Sequence, residues 1–172
     1  LFDGQTDQQG NFSFSLNKIK TEDAPGILNA VFTTRVFENG GDFSISSQSI
    51  RYSPYDEYVG IRLPENDDNW YSTEQPVRLQ GVTVTPTGKQ SGNATIQIEV
   101  YKLDWHWWWD SEDENLGSYV NREYSSSVLS QKVKATDGRF QLDLHIPKYG
   151  RYFIRATDPS GHTSGLIAYF GS

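Results

Sequence analysis

The stretch Thr136-Asp137-Gly138-Arg139-Phe140-Gln141-Leu142-Asp143-Leu144-His145-Ile146 decides the fold class. Its Asp-Gly pair marks a turn, after which apolar residues recur at every second position: Phe140, Leu142, Leu144 and Ile146. That period matches side chains alternating across a pleated strand with one buried face. Downstream, Tyr149-Gly150 opens a second alternating run of Tyr152, Ile154 and Ala156. The turn Asp158-Pro159-Ser160-Gly161 then leads to a last strand, Leu166 to Phe170.

The same order stands near the other end of the chain. The turn Thr6-Asp7-Gln8-Gln9-Gly10 precedes Phe12, Phe14 and Leu16; Pro25-Gly26 precedes Leu28, Ala30 and Phe32; and Glu38-Asn39-Gly40-Gly41 precedes Phe43 to Ile45. Glycine-punctuated strands are common in β-proteins at large, but recurrence of one unit in fixed order points to an array of like domains. Upstream of the second copy, Val59 to Leu63, Val77 to Val84, Thr95 to Trp105 and Val128 to Lys134 also read as strands. With the three of the repeat they make about seven, the strand count of an immunoglobulin- or fibronectin-like sandwich. The expected organisation is all-β. Residues 63–172 form a complete antiparallel sandwich, and residues 1–62 form the C-terminal part of a preceding one, joined through Arg62-Leu63-Pro64-Glu65-Asn66-Asp67-Asp68-Asn69. The start at Leu1-Phe2-Asp3 reads as a segment of a longer polypeptide. Helical periodicity is confined to single turns at Asn17–Asp23 and Tyr119–Tyr124.

Composition narrows the function classes. A net charge of −7 with scattered basic residues disfavours nucleic acid, whose phosphates require clustered Lys and Arg. No apolar run approaches the ~20 residues that span a bilayer, so no transmembrane segment is expected within this stretch. Cysteine is absent, which removes disulfides, thiolate metal sites and a cysteine nucleophile. His106, His145 and His162 lack metal-ligand spacing. Gly161-His162-Thr163-Ser164-Gly165 is not the G-x-S-x-G nucleophile elbow, and no phosphate loop or dinucleotide fingerprint occurs. The acidic stretch from Asp110 to Asn115 fails as a calcium loop, because Asn115 and Asn121 stand where Gly and Glu are needed. The expectation is a non-enzyme with no catalytic residues, cofactor or metal. Asn11-Phe12-Ser13 and Asn93-Ala94-Thr95 are glycosylation sequons, meaningful only in a eukaryotic secretory context.

The loudest local feature is Tyr101-Lys102-Leu103-Asp104-Trp105-His106-Trp107-Trp108-Trp109-Asp110. Ile96, Ile98 and Val100 share one parity, whereas Tyr101, Leu103, Trp105, Trp107 and Trp109 share the other. Such a flip calls for a bulge or twist near Val100. Two uses of the indoles stand open. One is burial in a core or domain contact, each ring covering ~150–250 Å². The other is an exposed aromatic surface formed by Trp105, Trp107, Trp108 and Trp109, with Trp108 on the outward parity.

This block, with Gly150-Arg151-Tyr152-Phe153-Ile154-Arg155-Ala156-Thr157-Asp158, Gly161-His162-Thr163-Ser164-Gly165 and Thr34 through Ile45, resembles bacterial alpha-2-macroglobulin proteins. The resemblance implies tandem seven-stranded macroglobulin domains in a protease-trapping inhibitor. It also implies export to the bacterial periplasm or an outer-membrane-associated envelope. Partners would be neighbouring domains of the parent chain and, through the whole parent, target proteases. The family's thioester needs a cysteine, which this chain lacks, so none of its functional residues carries over. A carbohydrate-binding or adhesin-type sandwich is the alternative, and it requires the tryptophans in an exposed row.

Overall fold

A computed structural model describes residues 2–15, 21, 24–66, 68–103 and 127–171. Among them run ten strands and no helix: β1 (Leu28–Phe37), β2 (Phe43–Tyr52), β3 (Tyr58–Arg62), β4 (Trp70–Ser72), β5 (Val77–Val84), β6 (Ala94–Leu103), β7 (Leu129–Ala135), β8 (Arg139–Leu144), β9 (Gly150–Thr157) and β10 (Thr163–Gly171). The turn expected at Tyr119–Tyr124, and most of that at Asn17–Asp23, lie outside the described residues.

From β3 onward the strands form a sandwich of a five-stranded sheet, β4-β10-β9-β6-β7, and a three-stranded sheet, β3-β5-β8. Every pairing in it is antiparallel except β10 with β4. The core lies where the two inner faces meet. Val59, Leu79, Phe140 and Leu144 come from the smaller sheet; Ile96, Ile98, Val100, Tyr152, Ile154, Ala156, Ala168 and Phe170 come from the larger. Each fully buried aliphatic or aromatic side chain among them contributes about 1.5–3 kcal/mol. The decisive stretch behaves as its alternation requires: Phe140, Leu144 and Ile146 are buried, while His145 is exposed.

Three expectations change. Strand β3, counted among the sandwich's seven strands yet cut off by a division after residue 62, pairs with β5 inside the sandwich, from Tyr58↔Val84 to Arg62↔Gln80. Residues 53–57 therefore connect the β1–β2 hairpin to the sandwich. Strand β4 is an eighth strand; three residues are too few to establish an alternation, and the parallel ladder on β10 supplies its bonding. The parity flip in β6 involves no bulge, since its ladder with β9 runs unbroken from Gln97↔Thr157 to Leu103↔Arg151. Instead the sheet is buried on both faces there. Tyr101, Leu103 and Phe153 form a second cluster on the outer face, with Ile167 packed against it.

Strands β1 and β2 form a separate two-stranded sheet in continuous register from Leu28↔Tyr52 to Phe37↔Phe43. Neither edge meets a third strand among the described residues, and Val31, Phe37 and Ile45 stand exposed. Phe12 and Phe14, expected on a strand, form none. Among the described residues no strand pairs with their backbone; the Phe14 ring packs on Phe12 and on Phe2.

One turn geometry recurs four times. At Asp7–Asn11, Glu38–Asp42, Thr85–Lys89 and Asp158–His162 the first residue's N–H donates to the fifth residue's carbonyl, and the fourth residue's N–H donates to the first's carbonyl. The fourth residue is always glycine at positive φ: Gly10, Gly41, Gly88 and Gly161 at +82°, +90°, +83° and +93°. This is the type I turn closed by a left-handed bulge residue, which only glycine occupies without strain. The β9–β10 and β1–β2 hairpins thus share a turn and a register, with Thr157↔Thr163 matching Phe37↔Phe43.

Candidate functional site

The β9–β10 turn is where side-chain chemistry concentrates. Asp158 Oδ1 accepts the backbone N–H of Ser160 at 2.8 Å and of His162 at 3.1 Å, and the Ser160 hydroxyl at 2.7 Å. An Asp at the first position of such a turn makes these bonds by local geometry. They hold the carboxylate inward, where Asp158 is 4% exposed. Its second oxygen, Oδ2, is buried with no hydrogen-bond partner among the described residues.

At the fifth position His162 turns its ring into the junction. The Val59 N–H, at the start of β3, donates to His162 Nδ1 at 3.1 Å. The Pro25 carbonyl, just ahead of β1, acts on the same ring and favours its protonated form. Tyr55 and Tyr58 enclose the imidazole at centroid distances of 5.3 and 4.7 Å, and stand edge-to-face with each other at 5.8 Å. Their hydroxyls are engaged: Tyr55 donates to the Ala24 carbonyl at 2.7 Å, and Tyr58 Oη lies 2.6 Å from Ser53 Oγ. The Ser160 hydroxyl also reaches the Glu57 carbonyl at 3.1 Å. Both segments that flank the β1–β2 hairpin, around Ala24-Pro25 and Ser53–Tyr58, are therefore fastened to one end of the sandwich. The imidazole lies between them.

His162 Nδ1 also lies 3.9 Å from Asp158 Oδ2, within range of an ion pair. The nitrogen cannot both accept from Val59 and carry a proton toward Asp158. The shorter hydrogen bond prevails, because burial pushes the His162 pKa below its ordinary value against the opposing pull of Asp158 and the Pro25 carbonyl. The ring is neutral, with its proton on Nε2.

Trp105, Trp107, Trp108, Trp109 and His106 lie outside the described residues, as does the Asp110–Asn115 stretch. The aromatic surface among the described residues is elsewhere. Trp70 on β4 stacks on Tyr169 of β10 at 5.7 Å and lies 6.4 Å from Tyr149, with Trp70 46% and Tyr149 71% exposed. The Arg151 guanidinium lies 5.8 Å from the Tyr169 ring. A cleft of about 500 Å³ between the end of β3, the 63–69 connection and β10 carries Arg62 and Glu65. Among the described residues no three of His, Asp or Glu gather as a metal site would require.

Sequence reasoning placed His162 in a turn and gave Asp158 no role beyond turn formation. The readable signal was the five-residue frame shared with Glu38–Asp42, in which Asp158 and His162 occupy the two ends. The burial of both was not readable, because it depends on residues about a hundred positions earlier.

Comparison with known families matches residues 60–171 to the family described as bacterial macroglobulin domain 6. No curated protein matches the chain.

Proposed function

Since the chain belongs to the bacterial alpha-2-macroglobulin family as a macroglobulin-domain segment, we propose that it is a non-catalytic structural part of a protease-trapping inhibitor. In this reading the inhibitor is exported to the bacterial envelope, in the periplasm or on the outer membrane. The sandwich from residue 58 onward is one complete domain, and the preceding residues are the C-terminal part of another. The observation that carries the reading is the β1–β2 hairpin. It repeats the turn and register of β9–β10, yet among the described residues it buries no side chain fully and leaves both edges open. Such a hairpin is marginal alone and suits a neighbouring domain of the parent chain. Target proteases would be engaged by the parent as a whole, and no cofactor is required.

The test uses the full-length parent. After limited cleavage by a protease, the bound protease should lose activity on large protein substrates while retaining it on small peptides. Cleavage with no such shielding removes the trapping role. A carbohydrate-binding or adhesin-type reading finds support in the cluster of exposed Trp70 and Tyr149 with half-buried Tyr169. Tryptophan fluorescence that changes on titration with a polysaccharide panel, and not in Trp70→Ala, would favour it.

A further inference from the structure

We propose that Asp158 and His162 form a proton-operated latch between the sandwich and the segments flanking the β1–β2 hairpin. With the imidazole neutral the joint is closed; with it charged the joint loosens. The inference rests on the joint's geometry and stands or falls independently of protease trapping.

The closed state depends on one lone pair. Among the described residues strand β3 is an edge of its sheet, paired only with β5. His162 Nδ1 takes the N–H of Val59, a residue 3% exposed. The Pro25 carbonyl acts on the same ring, and Tyr55, packed against it, donates to the Ala24 carbonyl, so this corner holds the chain ahead of β1 beside the first strand of the sandwich. A proton on Nδ1 turns this acceptor into a donor facing another donor 3.1 Å away. That contact is repulsive, and it leaves the Val59 N–H without an acceptor in a buried setting, which stabilises any movement that admits water.

The acceptor for the new proton is already in place. Asp158 Oδ2 lies 3.9 Å from Nδ1, buried and without a hydrogen bond among the described residues. Its sister oxygen is fixed by the turn, so the carboxylate stays aimed at the ring. The charged ring would swing from Val59 toward Asp158. This exchanges a bond across the joint for one within the turn.

The groups around the ring are few. Asp158 faces it from its own turn and is the one charge acting on it among the described residues. From the 53–58 segment come the phenols of Tyr55 and Tyr58; from β3 comes the Val59 N–H, and from the chain before β1 the Pro25 carbonyl. Burial outweighs the proton-favouring effects of Asp158 and Pro25 and holds the docked ring below its ordinary value. The docked form therefore binds fewer protons than the opened form. Docking is fully supported above the free histidine value of about 6.5 and weakens as pH falls from there toward the docked ring's lower value.

The experiment follows the whole chain by NMR from pH 8 to 5. It reads the His162 ring nitrogens together with hydrogen exchange at Val59 and residues 53–58, corrected for the intrinsic pH dependence. The expected result is an Nε2–H ring at pH 7.5 that titrates below 6.5. Val59 should lose protection about tenfold for each unit separating the docked and free values, with β6 and β9 amides unaffected. His162→Gln retains an acceptor for Val59 but cannot titrate, and should abolish the response. Asp158→Asn keeps Oδ1 for the turn and should shift the His162 transition to lower pH. Val59 protection that ignores the His162 titration, an unchanged response in H162Q, or a ring titrating at or above 6.5 in the wild type would each overturn the latch. The wild-type measurement decides even if a variant does not fold.

Discussion

Gly81 is the position where one added methyl group should cost the sandwich most. It lies in β5 directly opposite Phe140 of β8, whose ring crosses the strand where a side chain would stand. A Cβ built on Gly81 would fall 1.9 Å from the tip of that ring. The ring cannot step aside cheaply, since Phe140 is 4% exposed and belongs to the core. Gly81→Ala must either strain the core, at about 1–3 kcal/mol, or expel a ring whose burial contributes about 1.5–3 kcal/mol. We expect a loss of roughly 2–3 kcal/mol, read as a drop of about 1–2 M in the urea midpoint with an unchanged slope. Gly60→Ala is the matched control: it too lies in the three-stranded sheet, but its Cβ would meet Val82 at an ordinary 3.7 Å. It should be neutral, or stabilising by up to about 1 kcal/mol, because alanine lowers the entropy of the unfolded chain. Shrinking the ring with Phe140→Leu should make the Gly81→Ala penalty smaller in a double-mutant cycle. If Gly81→Ala costs no more than Gly60→Ala, or the cycle shows no coupling, the aromatic-over-glycine contact does not organise this sheet.

Other expectations can be checked on the same chain. Gly138→Ala should destabilise by more than about 2 kcal/mol in urea unfolding, since Gly138 sits at φ +71° and its Cβ would press on the Thr83 and Ser91 carbonyls, backbone atoms that cannot swing away. Glu99→Ala should cost about 1.5–3 kcal/mol, because Arg155 donates to Glu99 at 2.7 and 3.1 Å in a setting where both side chains are largely covered. The Arg78–Asp143 pair offers the contrast. Arg78 holds the Asp143 carboxyl below its ordinary range, so its contribution is present above about pH 4 and lost as acid protonates the group. Both side chains are more than half exposed, and Asp143→Asn at neutral pH in 0.15 M salt should leave the urea midpoint within measurement scatter.

What the sequence disclosed followed from how local each cause was. The Asp137-Gly138 turn and the alternation from Phe140 to Ile146 are set by neighbouring residues, and both stand where alternation placed them. The flip at Tyr101 was visible, but its cause was not. Alternation gives the face a residue points to, while whether that face is covered depends on Phe153 and Ile167, some fifty residues later. Strand β4 was illegible for a related reason: its order comes from parallel pairing with β10 at the far end of the chain. The joint was the least legible of all. Ser53, Tyr55, Tyr58, Asp158 and His162 each read as ordinary loop residues, and only folding brings them around one ring.

Strands β1 and β2 share the turn of β9 and β10 but not their neighbours among the described residues. Aligned on their shared turn, Phe32, Val36 and Ile50 take the places of Tyr152, Ala156 and Phe170, all buried in the sandwich core. Thr34, Ser46 and Gln48 take the places of Ile154, Leu166 and Ala168, so the middle of that face is polar where its counterpart is apolar. In the sandwich, β9 gains β6 along its outer edge and β10 gains β4 along its own. By the same geometry the edge of β1, open among the described residues, is a template for a further strand, and an edge left bare is a liability that folded chains cover. In the present chain the outward amides of β1 should exchange close to the rate of unstructured backbone, while those of β9 stay protected. Extending the polypeptide toward its N-terminus should slow the β1 amides and bury Phe32, Val36 and Ile50, leaving β9 unchanged. If β1 is already protected in this chain as a monomer, the hairpin is complete as it stands, and the tandem-domain reading loses its main support.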